Sequence, residues 1–344
     1  MVGEVVTAEG NGRVPGIATI YDVAARAGVS ISTVSLVLNV PGKVSAGTAE
    51  RVRQAIDELG FVPKTEAVTR ARRGVGRIGV LAPFSSYQSF SRRLNGVFAA
   101  VRGQPDEVVV FDQRSAAETS LLSSLPLTRR LDGLLVMALP LDDALADGLL
   151  RQRLPTVLVE SVRPGFSTVV IDDVAGGRMV AEHLVGRGHQ RVAFLGEQQR
   201  SHEYVSQSES RLKGFRAGLA AAGLELPDDR VRLVRHGADS ARAATQELLG
   251  RPDPPTAVFA HDDLLAAGVW RAATDTGRAV PGELAIVGFD DSDLAEHLGL
   301  STVRQPLEDS GRLAAELLLG RLRDPAATTQ QVMLALTLVV RASS

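Results

Sequence analysis

The chain has 344 residues, of which 44% are hydrophobic and 23% charged, with a formal net charge of −2 and no cysteine. This is globular composition, long enough for one small and two medium domains, and it excludes disulfides, thiolate metal sites and thiol nucleophiles. No run approaches the ~18 apolar residues of a membrane helix. Residues 1–16 carry acids and no apolar core, so they predict a disordered tail rather than a secretory signal. The expectation is a cytoplasmic protein without a membrane partner.

Residues 17–63 predict three short helices. Thr19 precedes an apolar stripe at Ile20, Val23, Ala24 and Ala27, spaced as one helical face. Gly28 ends it, because a left-handed exit costs glycine nothing. Ser30 can cap a second helix reaching about Asn39, where Pro41 and Gly42 punctuate. Ser45 caps a third, with Val52, Ala55, Ile56 and Leu59 inward and Gly60 at its end. Two helices joined through a glycine turn, with a third completing the core, form a helix-turn-helix. The second helix would then lie in the DNA major groove, with Val34, Val37 and Leu38 inward and Ile31, Ser32, Ser35 and Leu36 outward. An outward Ile or Leu can pack on a thymine methyl. The same core would also suit a small helical interaction domain, since the outer face carries no arginine.

Charge separates this front end from the rest. Residues 17–77 hold nine Lys/Arg against five Asp/Glu, a net +4, whereas residues 78–344 carry −5. A basic head on an acidic body is expected where only the head meets phosphates. Residues 64–76 read as a linker. Gly74, Gly76 and Gly79 there spell GxGxxG, but the dinucleotide fingerprint must follow a strand and open a helix. These glycines precede the strand RIGVLAP.

From Arg77 onward, short β-branched runs alternate with amphipathic helical stretches: IGVLAP, EVVVFD, GLLVMAL, TVLVES, TVVID, RVAFLG, VRLVRHG, TAVFAH, LAIVGFD and VMLALTLVV. Such alternation predicts parallel sheets with helices on both faces, and this many strands suit two doubly wound lobes. Ligands of these sheets bind beyond the carboxyl ends of the strands. Residues lying there include Tyr87 and Phe90, Glu160, Glu197, His236, His261-Asp262 and Asp290-Asp291. Carboxylates, amides and guanidinium groups mixed with a few rings suit a hydroxyl-rich ligand, whose C–H faces the rings cover.

The stretch TIYDVAARAGVSISTVSLVLN followed by KVSAGTAERVRQAIDELGFVP resembles the headpiece of the lactose-repressor (LacI/GalR) family. The likeness continues through DGLLV, AEHLVGRGHQRVAFLG, RLKGF, VGFDD and TVRQP, nearly the whole chain after residue 17. It implies a small all-α helix-turn-helix headpiece and an α/β bilobed domain of periplasmic-binding-protein type, built of two doubly wound parallel sheets. The implied divisions are a tail (1–16), headpiece (17–63), hinge (64–76), first lobe (77–173 with 304–328) and second lobe (174–303 with 329–344). The chain would cross between lobes near residues 172–173, 303–305 and 325–330.

Bases would be read through positions matching Ile31, Ser32 and Leu36, although many members carry arginine where this chain has Leu36. The full candidate DNA-binding set is Thr19, Ile31, Ser32, Thr33, Ser35, Leu36, Asn39, Ser45, Arg70, Arg72 and Arg73. The family hinge folds on DNA and wedges a leucine into the minor groove, where this chain has Arg70. Arginine favours a narrow, negative groove over unstacking, so Arg70 is expected in the minor groove, with Arg72 and Arg73 on phosphates; the alternative is a flexible basic tether. Effector contacts would fall on Phe90, Glu160, Arg211, His236, His261 and Asp290.

Enzyme readings find little support. His183 and His189 are six apart rather than the four of a helical metal pair, and there is no GxSxG elbow and no P-loop. The expected protein is a homodimeric transcription regulator, a repressor in sign, without cofactor or metal. It would bind a pseudo-palindromic double-stranded operator under control of a sugar effector. The alternatives are a sugar-binding protein without DNA function and a sugar-processing α/β enzyme.

Overall fold

The computed structural model describes residues 18–39, 43–59, 61, 76–83, 87–113, 131–139, 141–198 and 207–344. Chain contacts divide it into two compact units, one ending at Gly76 and the other beginning at Arg77.

The first unit contains α1 (Ile20–Ala27), α2 (Ile31–Asn39) and α3 (Ala46–Leu59). Thr19 opens α1 with a capping box, its hydroxyl accepting from Asp22 N while Asp22 accepts from Thr19 N at 2.8 Å. Gly28 closes that helix in the left-handed region at φ 64°, a conformation costly for any residue with a Cβ. Ser30 and Ser45 accept from the amides of Thr33 (3.2 Å) and Thr48 (3.4 Å), capping α2 and α3. Val23, Val34 and Val52, each fully buried, centre a small core closed by Ala27, Val37, Ile56 and Phe61.

The second unit contains two six-stranded sheets. The first comprises β1 (Arg77–Pro83), β2 (Glu107–Gln113), β3 (Gly133–Met137), β4 (Thr156–Val159), β5 (Ser167–Ile171) and β11 (Gln331–Leu334), in the order β11-β5-β4-β3-β1-β2. Around it lie α4 (Gln88–Val101), α5 (Asp143–Arg151) and α11 (Leu307–Arg323). The second comprises β6 (Val192–Glu197), β7 (Val231–Val234), β8 (Ala257–Ala260), β9 (Ala285–Asp290), β10 (Ser301–Arg304) and β12 (Thr337–Val339), in the order β12-β10-β9-β8-β6-β7. Its helices are α6 (Asp173–Gly186), α7 (Gln207–Ala221), α8 (Ala238–Leu249), α9 (Asp263–Asp275) and the short α10 (Asp293–Leu298). Among the described residues all pairings are parallel except β10–β12. Strands β3, β4 and β5 are buried along their whole length, as central parallel strands covered on both faces must be.

The chain passes between sheets after β5, after β10 and after β11. The third passage differs from the expected one at residues 325–330. VMLALTLVV reads as one apolar run, yet it is split between the sheets. β11 pairs parallel with β5, Gln331 opposite Thr168 and Leu334 opposite Ile171. β12 pairs antiparallel with β10, Val339 opposite Thr302. The crossing is therefore at residues 335–336, and residues 329–334 go with the first sheet rather than the second.

Two helix pairs carry the site. α4 packs on α11 so closely that a Cβ at Gly96 would strike the Glu308 carbonyl oxygen, and one at Gly311 the Arg93 carbonyl oxygen. α6 packs on α7 in the same way, with Gly214 against Val174 and Gly177 against the Arg211 carbonyl oxygen. Each lobe thus presses the backbone of one arginine against a glycine.

Candidate functional site

A cleft with about 470 Å³ of empty space, solvent at its mouth included, lies between the two sheets at the carboxyl ends of their strands. All six expected effector positions line it: Phe90, Glu160, Arg211, His236, His261 and Asp290. Tyr87, Arg93, Glu197, Gln207, Asp262 and Gln305 join them.

On the first-lobe wall, Glu160 follows β4 with φ 63°, a left-handed conformation uncommon for a residue with a Cβ. Its buried carboxylate accepts from Arg93 Nη2 at 2.8 Å and from Gln207 Nε2 of the other lobe at 3.3 Å. Arg93 sits one turn after Phe90 on α4, only 4% exposed, with its guanidinium carbon 5.6 Å from the Phe90 ring centre. The same Nη2 donates to Gln305 Oε1 at 3.1 Å, and Gln305 Nε2 donates to Asp290 Oδ1. Gln305 lies in the second passage between lobes, so its amide bridges an arginine of one lobe to a carboxylate of the other.

On the second-lobe wall, Arg211 of α7 donates from Nε to Asp173 at 2.8 Å and from Nη1 to the His261 carbonyl at 2.5 Å, and lies 3.6 Å over the Phe289 ring. Burial raises Asp173 above the usual carboxylate range, opposed by the Arg211 charge. Burial and Arg211 push His261 down to about 3, so its ring is neutral at pH 7. His236 Nε2 lies 2.5 Å from Asp262 Oδ2. Burial pulls His236 down, but the Asp262 hydrogen bond and charge outweigh it and leave His236 above its usual value. Asp262 caps α9 through Leu265 N at 2.7 Å as well as pairing with His236. Burial acts to raise it, yet the His236 partnership brings it down to about 2.

The lobes also meet directly. The Tyr87 ring stacks on His236 with centres 4.0 Å apart and 19° between planes, and its hydroxyl reaches Glu197 at 3.5 Å. Arg92 donates to the Asp291 carbonyl at 3.1 Å. That carbonyl belongs to a pair of consecutive residues with positive φ, Asp290 (106°) and Asp291 (53°). Ser292, not Asp291, caps α10. The Asp291 carboxylate instead pairs with Arg304 at 2.5 Å and Arg341 at 2.7 Å. Among the described residues, two guanidinium groups (Arg93, Arg211) and four carboxylates (Glu160, Glu197, Asp262, Asp290) thus line the cleft, with Asp173 paired to Arg211 behind it. An anionic ligand would be repelled, whereas a neutral polyol offers the hydroxyl donors that carboxylates accept.

On the headpiece, Ile31 and Leu36 are 40% and 39% exposed and Ser32 is exposed, while Val34 and Val37 are buried. Ser35 and Thr33 are half-buried. The hydroxyls of Thr19, Thr33 and Ser45 are engaged in or beside helix caps. Asn39 ends α2, its side chain lying outside the described residues, as do Arg70, Arg72 and Arg73.

Residues 19–64 match the lacI family of bacterial regulatory proteins, and residues 181–344 match the periplasmic binding protein-like domain. The HTH-type transcriptional regulator CelR of Thermobifida fusca is 34% identical over 94% of this chain and 98% of its own length. The chain belongs to the lacI family. Among solved structures, a CelR–cellobiose complex is 32% identical with a TM-score of 0.68, covering 95% of this chain and 100% of that one. A lac repressor dimer bound to operator and an anti-inducer is 28% identical with a TM-score of 0.67, covering 95% and 99%. As a member of the lacI family, the protein is a DNA-binding transcriptional regulator and not an enzyme. No single helix among the described residues is long and apolar enough to cross a membrane.

Arg93 was not among the expected effector residues of this lacI-family chain, although the sequence holds a signal for it. Phe90, Arg93, Leu94, Val97 and Val101 form one buried helical stripe, and a cation in such a stripe must be paired or functional. Gln207 and Gln305 have no comparable signal, because each matters through the lobe it faces rather than the element it occupies.

Proposed function

We propose that the protein is a homodimeric, cytoplasmic repressor that releases its operator when a neutral oligosaccharide of the cellobiose class binds between its lobes. The acid-rich lining of the cleft carries this reading. Two buried guanidinium groups and four carboxylates suit many hydroxyls and no net charge, and Tyr87 and His236 offer ring faces to C–H surfaces. CelR, crystallised with cellobiose, supports the choice of sugar. Phe90, Glu160, Arg211, His236, His261 and Asp290 form or support the binding surface.

At the other end, Ile31, Ser32, Ser35 and Leu36 face base edges, and Thr33 and Asn39 accompany them on α2. Thr19 and Ser45 present their helix starts to phosphates. Arg70 enters the minor groove with Arg72 and Arg73 on phosphates. Two heads read two half-sites, so the dimer is the functional unit. Sugar and operator are coupled because each favours a different lobe arrangement.

A gel shift on the protein's own upstream region tests both halves. The expected result is specific retention that falls steeply with salt and is relieved by cellobiose but not by a sugar phosphate. Equal binding to the promoter and to bulk genomic competitor, with or without sugar, would overturn it.

A further inference from the structure

Arg93 Nε is buried and has no hydrogen-bond acceptor among the described residues. Orphaned buried N–H groups are rare, and a cationic one is the more costly to leave unpaired. This one belongs to a residue that borders the cleft. The rest of the side chain is fixed from several directions. Nη2 is shared between Glu160 and Gln305, Phe90 lies beside the guanidinium, and Gly311 holds the Arg93 backbone against α11. These contacts hold the guanidinium in place while its Nε–H is left without an acceptor among the described residues. It is preorganised, which lowers the ordering cost of binding.

We propose that Arg93 is a specificity-determining residue of the effector site, donating its Nε–H to one uncharged oxygen of the bound sugar. This rests on the sugar-responsive reading above and assigns a contact within it. The acceptor is a hydroxyl, ring or glycosidic oxygen, because the surrounding carboxylates disfavour an anionic group. Through Gln305 the same guanidinium touches the passage between lobes and Asp290 beyond it. Occupation of Nε is therefore sensed where the lobes hinge.

The test is titration calorimetry on the full-length protein with glucose, cellobiose, cellotriose and the monodeoxy cellobioses, repeated with Arg93→Lys and Arg93→Gln. Lysine keeps a charge for Glu160 but lacks the Nε–H; glutamine removes the charge. If a hydroxyl is the acceptor, wild type should lose roughly 10–100-fold in affinity for one monodeoxy analogue, and both variants should lose that discrimination. A crystal structure of the wild-type cellobiose complex decides the matter without substitution and covers ring and glycosidic oxygens. A sugar oxygen within about 3.2 Å of Arg93 Nε supports the assignment. An Nε that meets no sugar oxygen overturns it, as does a variant that weakens cellobiose and every analogue by one common factor. If wild type binds none of the saccharides, the sugar reading itself fails and the assignment falls with it. If wild type binds and discrimination survives in both variants, only the assignment falls.

Discussion

The two lobes place one arginine each at the cleft, and the pair differ in what their guanidinium groups do. Both sit on a helix held against its neighbour by a glycine, Gly311 for Arg93 and Gly177 for Arg211. Both are almost fully buried, pair with a carboxylate, and lie by a phenylalanine ring. Arg211 spends its Nε on Asp173 and an Nη on the His261 carbonyl; Arg93 keeps its Nε free. The same architecture can therefore make a strut or a ligand donor, and the difference is read by counting donors rather than burial.

That contrast is sharpest in stability. Arg211→Leu would leave Asp173 buried beside no cation, and breaking a buried pair from one side costs about 3–5 kcal/mol. Arg93→Leu should cost less, because Glu160 still accepts from Gln207. Urea unfolding of the two variants checks this, and equal losses would erase the distinction between strut and donor.

The lobes differ next in how they titrate. The cleft-side groups with clear shifts (Asp173, Arg211, His236, His261, Asp262, Asp290 and the adjoining Asp263) all belong to the second lobe. Burial raises Asp263 to about 7, since its partners Ser292 and Thr302 are neutral donors and Asp290 adds like charge. A carboxyl with a raised folded pKa holds its proton in the native state after the unfolded chain has lost it. Its contribution is thus fully present below about pH 4 and declines as pH rises towards 7. His261 has the opposite slope, because a folded value near 3 makes stability fall as pH drops below 6.5. Wild type alone therefore mixes both signs, and the useful quantity is its stability relative to Asp263→Asn. That difference should move against wild type by up to about 4 kcal/mol between pH 4 and 7. Parallel stability curves would show that the buried carboxyl is ionised throughout.

Much of this was legible in the chain. Gly28, Ser30 and Ser45 mark helix ends by local chemistry, and the Ile20, Val23, Ala24, Ala27 stripe marks a face by period alone. The six positions expected to meet the effector came from a family pattern, and all six line the cleft; Glu160, His236, His261 and Asp290 lie at or just past strand ends, while Phe90 and Arg211 sit on helices. The third crossing was not, because an apolar run does not record which sheet each half joins. Nor were Gln207 and Gln305, whose partners are 47 and 212 residues away along the chain. Arg93 was within reach, since its place in the Phe90, Leu94, Val97 stripe required an explanation.

The glycine contacts give a smaller and more symmetric effect. Gly177→Ala and Gly311→Ala each add a methyl where a backbone carbonyl already sits, and overpacking of this kind costs about 1–3 kcal/mol. The two should differ in function more than in stability. Displacing α4 moves the free donor of Arg93, so Gly311→Ala should weaken sugar binding more than Gly177→Ala. Calorimetry alongside thermal melts would show whether the helix contacts position the arginines or merely hold the lobes.

The smallest effect belongs to an arginine with more hydrogen bonds than either. Arg312 on α11 makes four to Asp309 and Glu316, at 2.8 to 3.3 Å, whereas Arg93 makes two. Arg312 is nevertheless 41% exposed, so water replaces whatever a substitution removes and salt screens the rest. Arg312→Ala should shift urea stability by no more than about 1 kcal/mol, and less still in 0.5 M salt. If it instead rivals Arg211→Leu, bond count would outweigh burial. The free Nε of Arg93 would then carry far less weight than its enclosure implies.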